Sequence, residues 1–360
     1  MPARPARSRA LVLAAVVVAV AACFALNRFG AYLVHSVAIA AIGALALNLL
    51  TGFCGQISFA QGALVGIGAY TAGNLGNAGW GLGAILAAGL AGAVASLVIG
   101  LPALRLRGLY YAIATLAAQF VIEYLFKIAE PITKGFSGLI VKPLVLFGRT
   151  LASDQAYAAL AVGVLALTWA ALARLMRTNV GRAFLVVREN ELVAKGMGID
   201  VARTKMWAFV VSGFVTGVSG ALLVFTHRLA TPEAFELPLS IDQVAMIIVG
   251  GQGIWSGSLL GAAFVVLLPE AIQRVGEAFD IAKLLFAMRE MAFGLLIILF
   301  LMFEPRGLSA LLRRLARWVA GAVSRKAPAT ASPAAASAEP LGPRATLAAP
   351  NTRTQSGGST

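Results

Sequence analysis

Residues 177–205 read RTNVGRAFLVVRENELVAKGMGIDVARTK and lie between two long apolar segments. This segment carries six Lys and Arg residues against three acidic residues. Basic loops that connect membrane-spanning helices are retained on the cytoplasmic side of the membrane. The sequence therefore predicts a membrane protein in which residues 177–205 form a cytoplasmic loop.

The same loop shows an apolar pattern with approximately helical spacing. Gly196 and Gly198 follow the pattern, as glycines do where a helix ends. The pattern predicts a short amphipathic helix outside the membrane. Such a helix is suited to transmit a conformational change from a soluble partner. The alternative is a solvated connector whose arginines only fix the topology, and the loop alone leaves both open. The apolar positions are Ala183, Phe184, Val186, Val187, Leu192 and Val193.

The composition excludes several classes of protein. The chain has 360 residues, of which 59% are hydrophobic and 12% are charged, whereas soluble domains are about 25% charged. The net charge of +14 collects at predicted cytoplasmic faces, which argues against nucleic-acid binding. No Gly-Lys dipeptide occurs in the sequence, so a phosphate-binding loop of the G-x-x-x-x-G-K-[ST] type is excluded and ATP must be bound by another chain.

Hydropathy predicts an all-α polytopic membrane protein with about ten transmembrane helices. Both termini are predicted to be cytoplasmic, and residues 130–155 and 229–240 to be outside. The first apolar run could be a cleaved signal peptide, but a second span follows at once, which favours an uncleaved anchor. The ten predicted spans are 10–26, 32–50, 51–73, 81–104, 110–128, 156–175, 206–226, 241–249, 259–272 and 284–303.

The third predicted span is unusual because it is crowded with glycine and polar residues. It reads TGFCGQISFAQGALVGIGAYTAG and contains Gln56, Ser58 and Gln61. Irregular backbone at membrane depth is tolerated where it is buried in protein or lines a cavity. A broken element that lines a cavity is one interpretation, and ordinary glycine-mediated helix packing is the other.

The ends of the chain differ from its membrane domain. We predict a basic cytoplasmic segment at 1–9, a transmembrane domain at 10–303, and a basic amphipathic helix at 304–326 that contacts the inner lipid leaflet. Residues 327–360 are rich in Ala, Pro, Ser and Thr, a composition typical of disorder.

Four acidic residues fall in the outer halves of predicted spans: Glu123, Asp242, Glu270 and Glu290. A carboxylate inside a span usually faces a cavity or a partner. The four could form an acidic vestibule that receives the ammonium group of an amino acid. Alternatively, each acid pairs with a basic neighbour.

Several stretches of the chain resemble one family, the permease subunits of branched-chain amino-acid ABC importers. The resemblance is to the M-type member of the two Leu/Ile/Val permeases and covers about residues 40–312. The stretches are NLLTGFCGQISFAQGALVGIGAY (48–70), LRLRGLYYAIATLAAQF (104–120), ITKGFSGL (132–139), GRAFLVVRENELVAKGMGID (181–200), GGQGIWSGSLLGAAF (250–264) and EPRGLSAL (304–311).

The resemblance implies a multi-pass protein of the bacterial inner membrane without its own ATPase site or cofactor. Its implied partners are an H-type permease, two cytoplasmic ATP-binding subunits and a periplasmic amino-acid-binding protein. It also favours the coupling interpretation of the 177–205 loop over the connector. The implied ATPase-coupling residues are Arg188, Glu189, Asn190, Glu191, Ala194, Gly196 and Gly198. The candidate translocation path comprises Gln56, Ser58, Gln61, Thr115, Gln119 and Glu123.

Two alternatives and one departure accompany the resemblance. Relatives in the family import urea or short amides, and an ion-coupled secondary transporter would need more ionisable residues inside its spans. Ala60 and Gln61 stand where many members carry a Gly-His pair, which weakens any assignment of substrate contacts near Gln61. Neither catalytic nor metal-binding residues are expected.

Overall fold

The computed structural model describes residues 18–278, except 105, 107, 147–148 and 152, together with 291, 294–295, 302 and 307–309. Most of the described chain is helical. The helices are α1 Arg28–Leu47, a π-helix Asn48–Phe53, α2 Gln61–Asn77, α3 Leu82–Gly100, α4 Leu109–Ile128, α5 Glu130–Thr133, α6 Asp154–Leu175, α7 Asn179–Glu189, α8 Glu191–Gly196, α9 Val201–His227, α10 Leu237–Gly250 and α11 Trp255–Ala278. Short 3-10 turns cover Leu101–Leu104, Gly135–Ser137 and Pro232–Phe235.

Of the two interpretations of the third span, the structure shows the broken element, while the cavity that it was expected to line stays a prediction. Helix α1 continues into the π-helix Asn48–Phe53, and residues 55–60 then have no regular structure before α2 begins. Gly55 has a φ of +75°, which glycine adopts without the steric cost that a Cβ would add. Because the chain leaves the helix here, α2 starts at a new N-terminus inside the bundle.

Helix α9 lies at the centre of the bundle, against α1, α2 and α3, and it is buried along most of its length. One side of it carries Gly213, Gly217 and Gly220. A Cβ at Gly217 would lie 3.1 Å from the Cα of Gly89 and would overlap the carbonyl oxygen of Ala88. Small residues thus let the backbones of α3 and α9 touch, a common mode of helix packing in membranes.

Two short antiparallel ribbons join the helix ends on the side opposite the 177–205 loop. Strands β1 (Leu139–Ile140) and β4 (Leu229–Ala230) pair with Ile140 opposite Leu229. Strands β2 (Val145–Leu146) and β3 (Arg149–Thr150) form the second ribbon. The ribbons satisfy backbone groups in the long connection between α4 and α6, which the sequence predicts to lie outside.

The segment 229–240, predicted as an outer connection, differs from that expectation. Phe235 and Ser240 are buried, and the main-chain oxygen of Phe235 accepts a hydrogen bond of 2.9 Å from Gln119 of α4. The segment therefore enters the bundle, and α10 begins within it. Hydropathy misses this because the segment is short and contains two prolines.

Six helices in the described residues are long and apolar enough to cross a membrane. Helices α2 and α10 have 17 and 14 residues, which is short for a span of about 20 residues. The count of ten spans stays a prediction. Residues 10–17 of the predicted span 10–26 and most of the predicted span 284–303 lie outside the described residues, as do Glu290, the 1–9 segment, most of 304–326 and the 327–360 tail.

The contact between α3 and α9 gives the first prediction. Replacing Gly217 with valine should force the two helices apart and lower the apparent melting temperature of the detergent-solubilised protein, because overpacking costs about 1–3 kcal/mol or more. Gly163→Val in α6 is the matched control, since a Cβ there meets no atom within 4 Å. Equal melting temperatures for the two variants would contradict the proposed packing.

Candidate functional site

The predicted coupling loop is built from two helices, whereas the sequence pattern indicated one. Helix α7 ends at Glu189 and α8 begins at Glu191, with extended backbone at Asn190 between them. The Asn190 side-chain oxygen accepts hydrogen bonds from the main-chain N–H groups of Leu192 at 2.8 Å and Val193 at 3.3 Å. Asn190 thus caps α8, and the cap turns the chain between the two helices.

The inner side of α7 and α8 is attached to the rest of the protein. Phe184 is fully buried in the main core, while Val187, Ala194 and Val201 form a small core of their own. Helix α8 ends at Gly196, and Gly198 follows with a φ of +76°. The predicted helix stop is confirmed, and its left-handed residue is Gly198.

On α8 and the residue that follows it, three apolar side chains are exposed among the described residues. Leu192 is 67% exposed, Met197 is 69% exposed, and Val193 is 49% exposed. The single stripe predicted from the sequence is therefore wrong, because Phe184 and Val187 face inward while Leu192 and Val193 face outward. The break at Asn190 produces this division. The coupling patch, defined here as Leu192, Val193 and Met197, is directed away from the bundle.

Two of the predicted coupling residues, Arg188 and Glu191, make contacts within their own chain. The Arg188 guanidinium donates a hydrogen bond to the main-chain oxygen of Gly52. The Glu191 carboxylate lies 2.6 Å from the Lys205 ammonium, and Lys205 is buried in α9. The coupling role of Glu191 stays a prediction, to which the structure adds this internal ion pair. Glu189 is exposed.

A cluster of polar groups surrounds the N-terminus of α2 inside the bundle. The Gly62 N–H donates to Ser240 Oγ at 2.7 Å, and the Ala63 N–H donates to Gln119 Oε1 at 2.8 Å. Gln119 Nε2 in turn donates to the Phe235 main-chain oxygen at 2.9 Å. The first N–H groups of a helix have no intrahelical acceptor, so α4 and α10 supply acceptors that lie far away in the sequence.

Two more candidate path residues belong to this cluster. Gln61 donates through Nε2 to Thr216 Oγ1 of α9 at 2.8 Å, and Thr115 Oγ1 accepts from the Phe59 N–H at 3.0 Å. Among the described residues, the buried Gln61 Oε1 has no hydrogen-bond partner. The structure therefore brings together Gln61, Thr115 and Gln119.

The remaining path candidates lie near this cluster or away from it. The Ser58 side chain is buried and accepts from the Ala60 N–H at 3.4 Å, within the irregular segment before α2. Gln56 is also buried in that segment. Glu123 is instead 3.5 Å from Lys127, which also lies 2.9 Å from Glu236.

The acidic vestibule remains a prediction. The pairing of Glu123 with Lys127 matches the alternative in which each acid has a basic neighbour. Asp242 and Glu270 are half-buried. One oxygen of Glu123, Oε2, is buried without a hydrogen-bond partner among the described residues, so the ion pair does not use the whole carboxylate.

Sequence reasoning missed Ser240, Thr216 and Met197. Ser240 stands in a stretch predicted as an outer connection, and Thr216 lies in the middle of an apolar span. Nothing in the local pattern marks either residue, because their partners are more than 150 positions away. Met197 lies between two glycines, and its exposure could have been inferred from a helix that ends at Gly196.

Long apolar helices, a helix terminus capped inside the bundle and an apolar patch on short helices at one end define a multi-pass membrane permease subunit. The model of the family described as "branched-chain amino acid transport system / permease component" matches residues 29–302. The chain belongs to this family.

Individual relatives agree with the family match. The high-affinity branched-chain amino acid transport system permease protein LivM of Salmonella typhimurium is 29% identical over 335 residues, covering 85% of this chain and 76% of the relative. A probable LivM of Methanocaldococcus jannaschii is 23% identical and covers 62% and 67%. A probable LivH of the same organism is 34% identical over 98 residues, covering 27% and 30%. No solved structure is significantly similar to the chain.

The cap around α2 gives the second prediction. Gln119→Leu should lower the apparent melting temperature, because it removes both the acceptor of the Ala63 N–H and the donor to Phe235. Each buried group left unsatisfied costs about 1–3 kcal/mol. Thr71→Val in α2 is the control, since among the described residues the Thr71 hydroxyl donates to the carbonyl oxygen of Ile67 in its own helix and to no other element. A leucine variant as stable as this control would show that Gln119 does not serve as a cap.

Proposed function

We propose that this chain is the membrane-spanning subunit of an ABC importer that moves branched-chain or other hydrophobic amino acids inward across the bacterial inner membrane. The chain itself performs no catalysis in this proposal. Separate ATP-binding subunits supply the energy, since the sequence contains no phosphate-binding loop of the G-x-x-x-x-G-K-[ST] type. A homologous H-type permease completes the pathway, and a periplasmic binding protein delivers the substrate.

The substrate class comes from the relatives. The LivM and LivH proteins that the chain resembles are named for branched-chain amino acid transport. This favours hydrophobic amino acids over urea or short amides. The similarity of the chain to both a LivM and a LivH protein also supports a pair of related permeases, because the two names denote different subunits.

The coupling patch is the observation that carries the ATPase assignment. Leu192 and Met197 are each about two-thirds exposed on a helix outside the bundle. Burial of such a side chain contributes about 1.5–3 kcal/mol, so a soluble partner with an apolar groove would gain by covering the patch. A loop that served only as a connector would have no use for apolar residues directed into water.

The transport path in this proposal passes the polar cluster around α2. Gln61, Thr115 and Gln119 are held by hydrogen bonds that close the helix terminus. A rocking movement between inward-open and outward-open states would change these contacts. Gln56, Ser58 and Glu123 are the other proposed path residues.

The coupling patch gives the third prediction. The double change Leu192→Asp and Met197→Asp should leave the amount of permease in the membrane unchanged, because both side chains are already exposed. Co-purification of the ATP-binding subunits should fall by more than about tenfold, since two apolar burials are lost and two charges are desolvated.

The control for the patch is Arg203→Ala, which removes an 80% exposed side chain that pairs with Asp200 at the base of the same loop. It should retain the ATP-binding subunits. Normal recovery of these subunits with the double variant would place their docking site elsewhere on the chain.

Topology gives the fourth prediction. A cysteine at the exposed Ser137 should react with a membrane-impermeant maleimide in intact cells, whereas a cysteine at the exposed Lys195 should react only after permeabilisation. Cys23 and Cys54 are first replaced by serine. The basic content of the 177–205 loop places it inside, and the opposite labelling pattern would reverse the orientation and rule out ATPase docking at α8.

A further inference from the structure

Four segments that are far apart in the sequence meet beside α7 and α8, which we call the coupling helices. They are the π-helix Asn48–Phe53, the end of α7 at Arg188, the 250–258 turn and residue Gly307. The 250–258 turn runs from the last residue of α10 through 251–254 into the first residues of α11. A Cβ at Gly307 would lie 2.7 Å from the Cα of Gly251, and Arg188 bonds to the main-chain oxygen of Gly52. We call this meeting point the glycine junction.

Asn48 joins the π-helix to the 250–258 turn. Its side-chain oxygen accepts from the Gly253 N–H at 2.8 Å. Its amide nitrogen donates to the Ile254 main-chain oxygen at 3.0 Å and to Ser258 Oγ at 2.8 Å. Beside these bonds, Phe53 stacks on Trp255 with ring centroids 4.3 Å apart. The break between α1 and α2 and the break between α10 and α11 therefore form one connected unit. These two interruptions are called the helix breaks.

Small residues make room for Arg188 at this junction. A Cβ at Gly52 would lie 2.5 Å from the Gly253 nitrogen, and a Cβ at Gly55 would lie 3.2 Å from Arg188 Cγ. At Gly253 a Cβ would lie 2.9 Å from Arg188 Nη1, and its φ of +73° also favours glycine. The arginine side chain thus occupies space that Gly55 and Gly253 leave open, while Gly52 allows the π-helix to approach the Gly253 main chain.

The junction is connected to the polar cluster by a rigid element. Helix α10 ends at Gly250 in the junction and carries Ser240, the acceptor for the α2 N-terminus, near its other end. Its 14 residues make a rod of about 20 Å. A second connection between the junction and the polar cluster runs along the chain, from the π-helix through residues 55–60 to α2.

We propose that Arg188 is the positioning residue that carries displacement of the coupling patch to both breaks, and through α10 to the cap of α2. Arg188 lies four residues before Leu192; the residue is exposed, like Arg182, but its guanidinium bonds to the main-chain oxygen of Gly52. The guanidinium also lies beside Gly253, where an added Cβ would come within 2.9 Å of Nη1. Its planar guanidinium donates several hydrogen bonds from a fixed geometry, which a lysine cannot reproduce.

A second link holds the other end of the patch. Glu191 pairs with the buried Lys205 of α9, so α8 cannot move without pulling on the central helix. The two links differ in their targets, because Lys205 leads to α9 and Arg188 leads to the helix breaks. Loss of Arg188 should therefore leave the patch in place and free the breaks from it. This inference rests on the proposed function.

The test compares Arg188→Ala, Arg188→Lys and the matched control Arg182→Ala, each in the full complex reconstituted in vesicles. Arg182 is exposed on the same helix and bonds to Asn179. Recovery of the ATP-binding subunits and basal ATP hydrolysis are measured first, and uptake is then expressed per bound ATP-binding subunit. Uptake in Arg188→Ala should fall about tenfold, the effect of one lost charge-assisted hydrogen bond on an equilibrium between two conformations. Arg188→Lys should be intermediate and Arg182→Ala normal.

A second readout needs no ATPase. Cys54 is fully buried at the end of the π-helix, and in a Cys23→Ser background it reports opening of the junction by its rate of maleimide labelling. We expect this rate to rise at least about tenfold in Arg188→Ala and to stay unchanged in Arg182→Ala, because opening exposes a thiol that burial protects.

The outcomes separate the two proposals. Faster Cys54 labelling together with uncoupled ATP hydrolysis supports the positioning role. Normal uptake in Arg188→Ala, unchanged labelling, or failure of both Arg188 variants to accumulate would overturn it. A wild-type complex that contains no ATP-binding subunit would refute the proposed function instead, and the labelling readout would still test the contact of Arg188 with the junction.

Discussion

A helix that begins inside an apolar bundle must find acceptors for its first N–H groups without the help of water. The N-terminus of α2 meets this requirement with Ser240 and Gln119, which belong to α10 and α4. The break before α2 is therefore possible only when three elements are assembled. Such a bonded terminus is rigid while its partners stay in place, and it changes when any of them moves.

The coupling helices α7 and α8 must likewise be held in place by residues from distant parts of the chain. Phe184 of α7 is buried in the main core, Val187, Ala194 and Val201 form a small core, and two charged links also tie these helices to the membrane helices. Arg188 reaches the helix breaks and Glu191 reaches α9. Both links are made within the chain, and the apolar patch at α8 stays exposed among the described residues. The inward links and the outward patch fit a segment that passes on force from outside the membrane.

The sequence was sufficient for features that depend on local composition. Long apolar runs predicted the spans, the glycines around Gln56 predicted a break, and Gly198 predicted the end of α8. It was insufficient where the deciding contact is distant. The burial of Ser240 and the pairing of Glu191 with Lys205 depend on helices that meet only in the folded chain. The division of the 177–205 pattern into two helices depends on the Asn190 cap, which hydrophobic periodicity does not record.

The capped terminus of α2 also has a consequence for biogenesis. Membrane proteins are synthesised from the N-terminus, so Gly62 enters the bilayer long before Thr216 and Ser240 leave the ribosome. Until then the amide groups at the start of α2 have no partner from α9 or α10, and the glycine face that receives α9 is empty. A nascent chain that ends before residue 240 therefore exposes polar groups at the start of α2. We expect the insertion machinery to shield these groups until residue 240 has emerged.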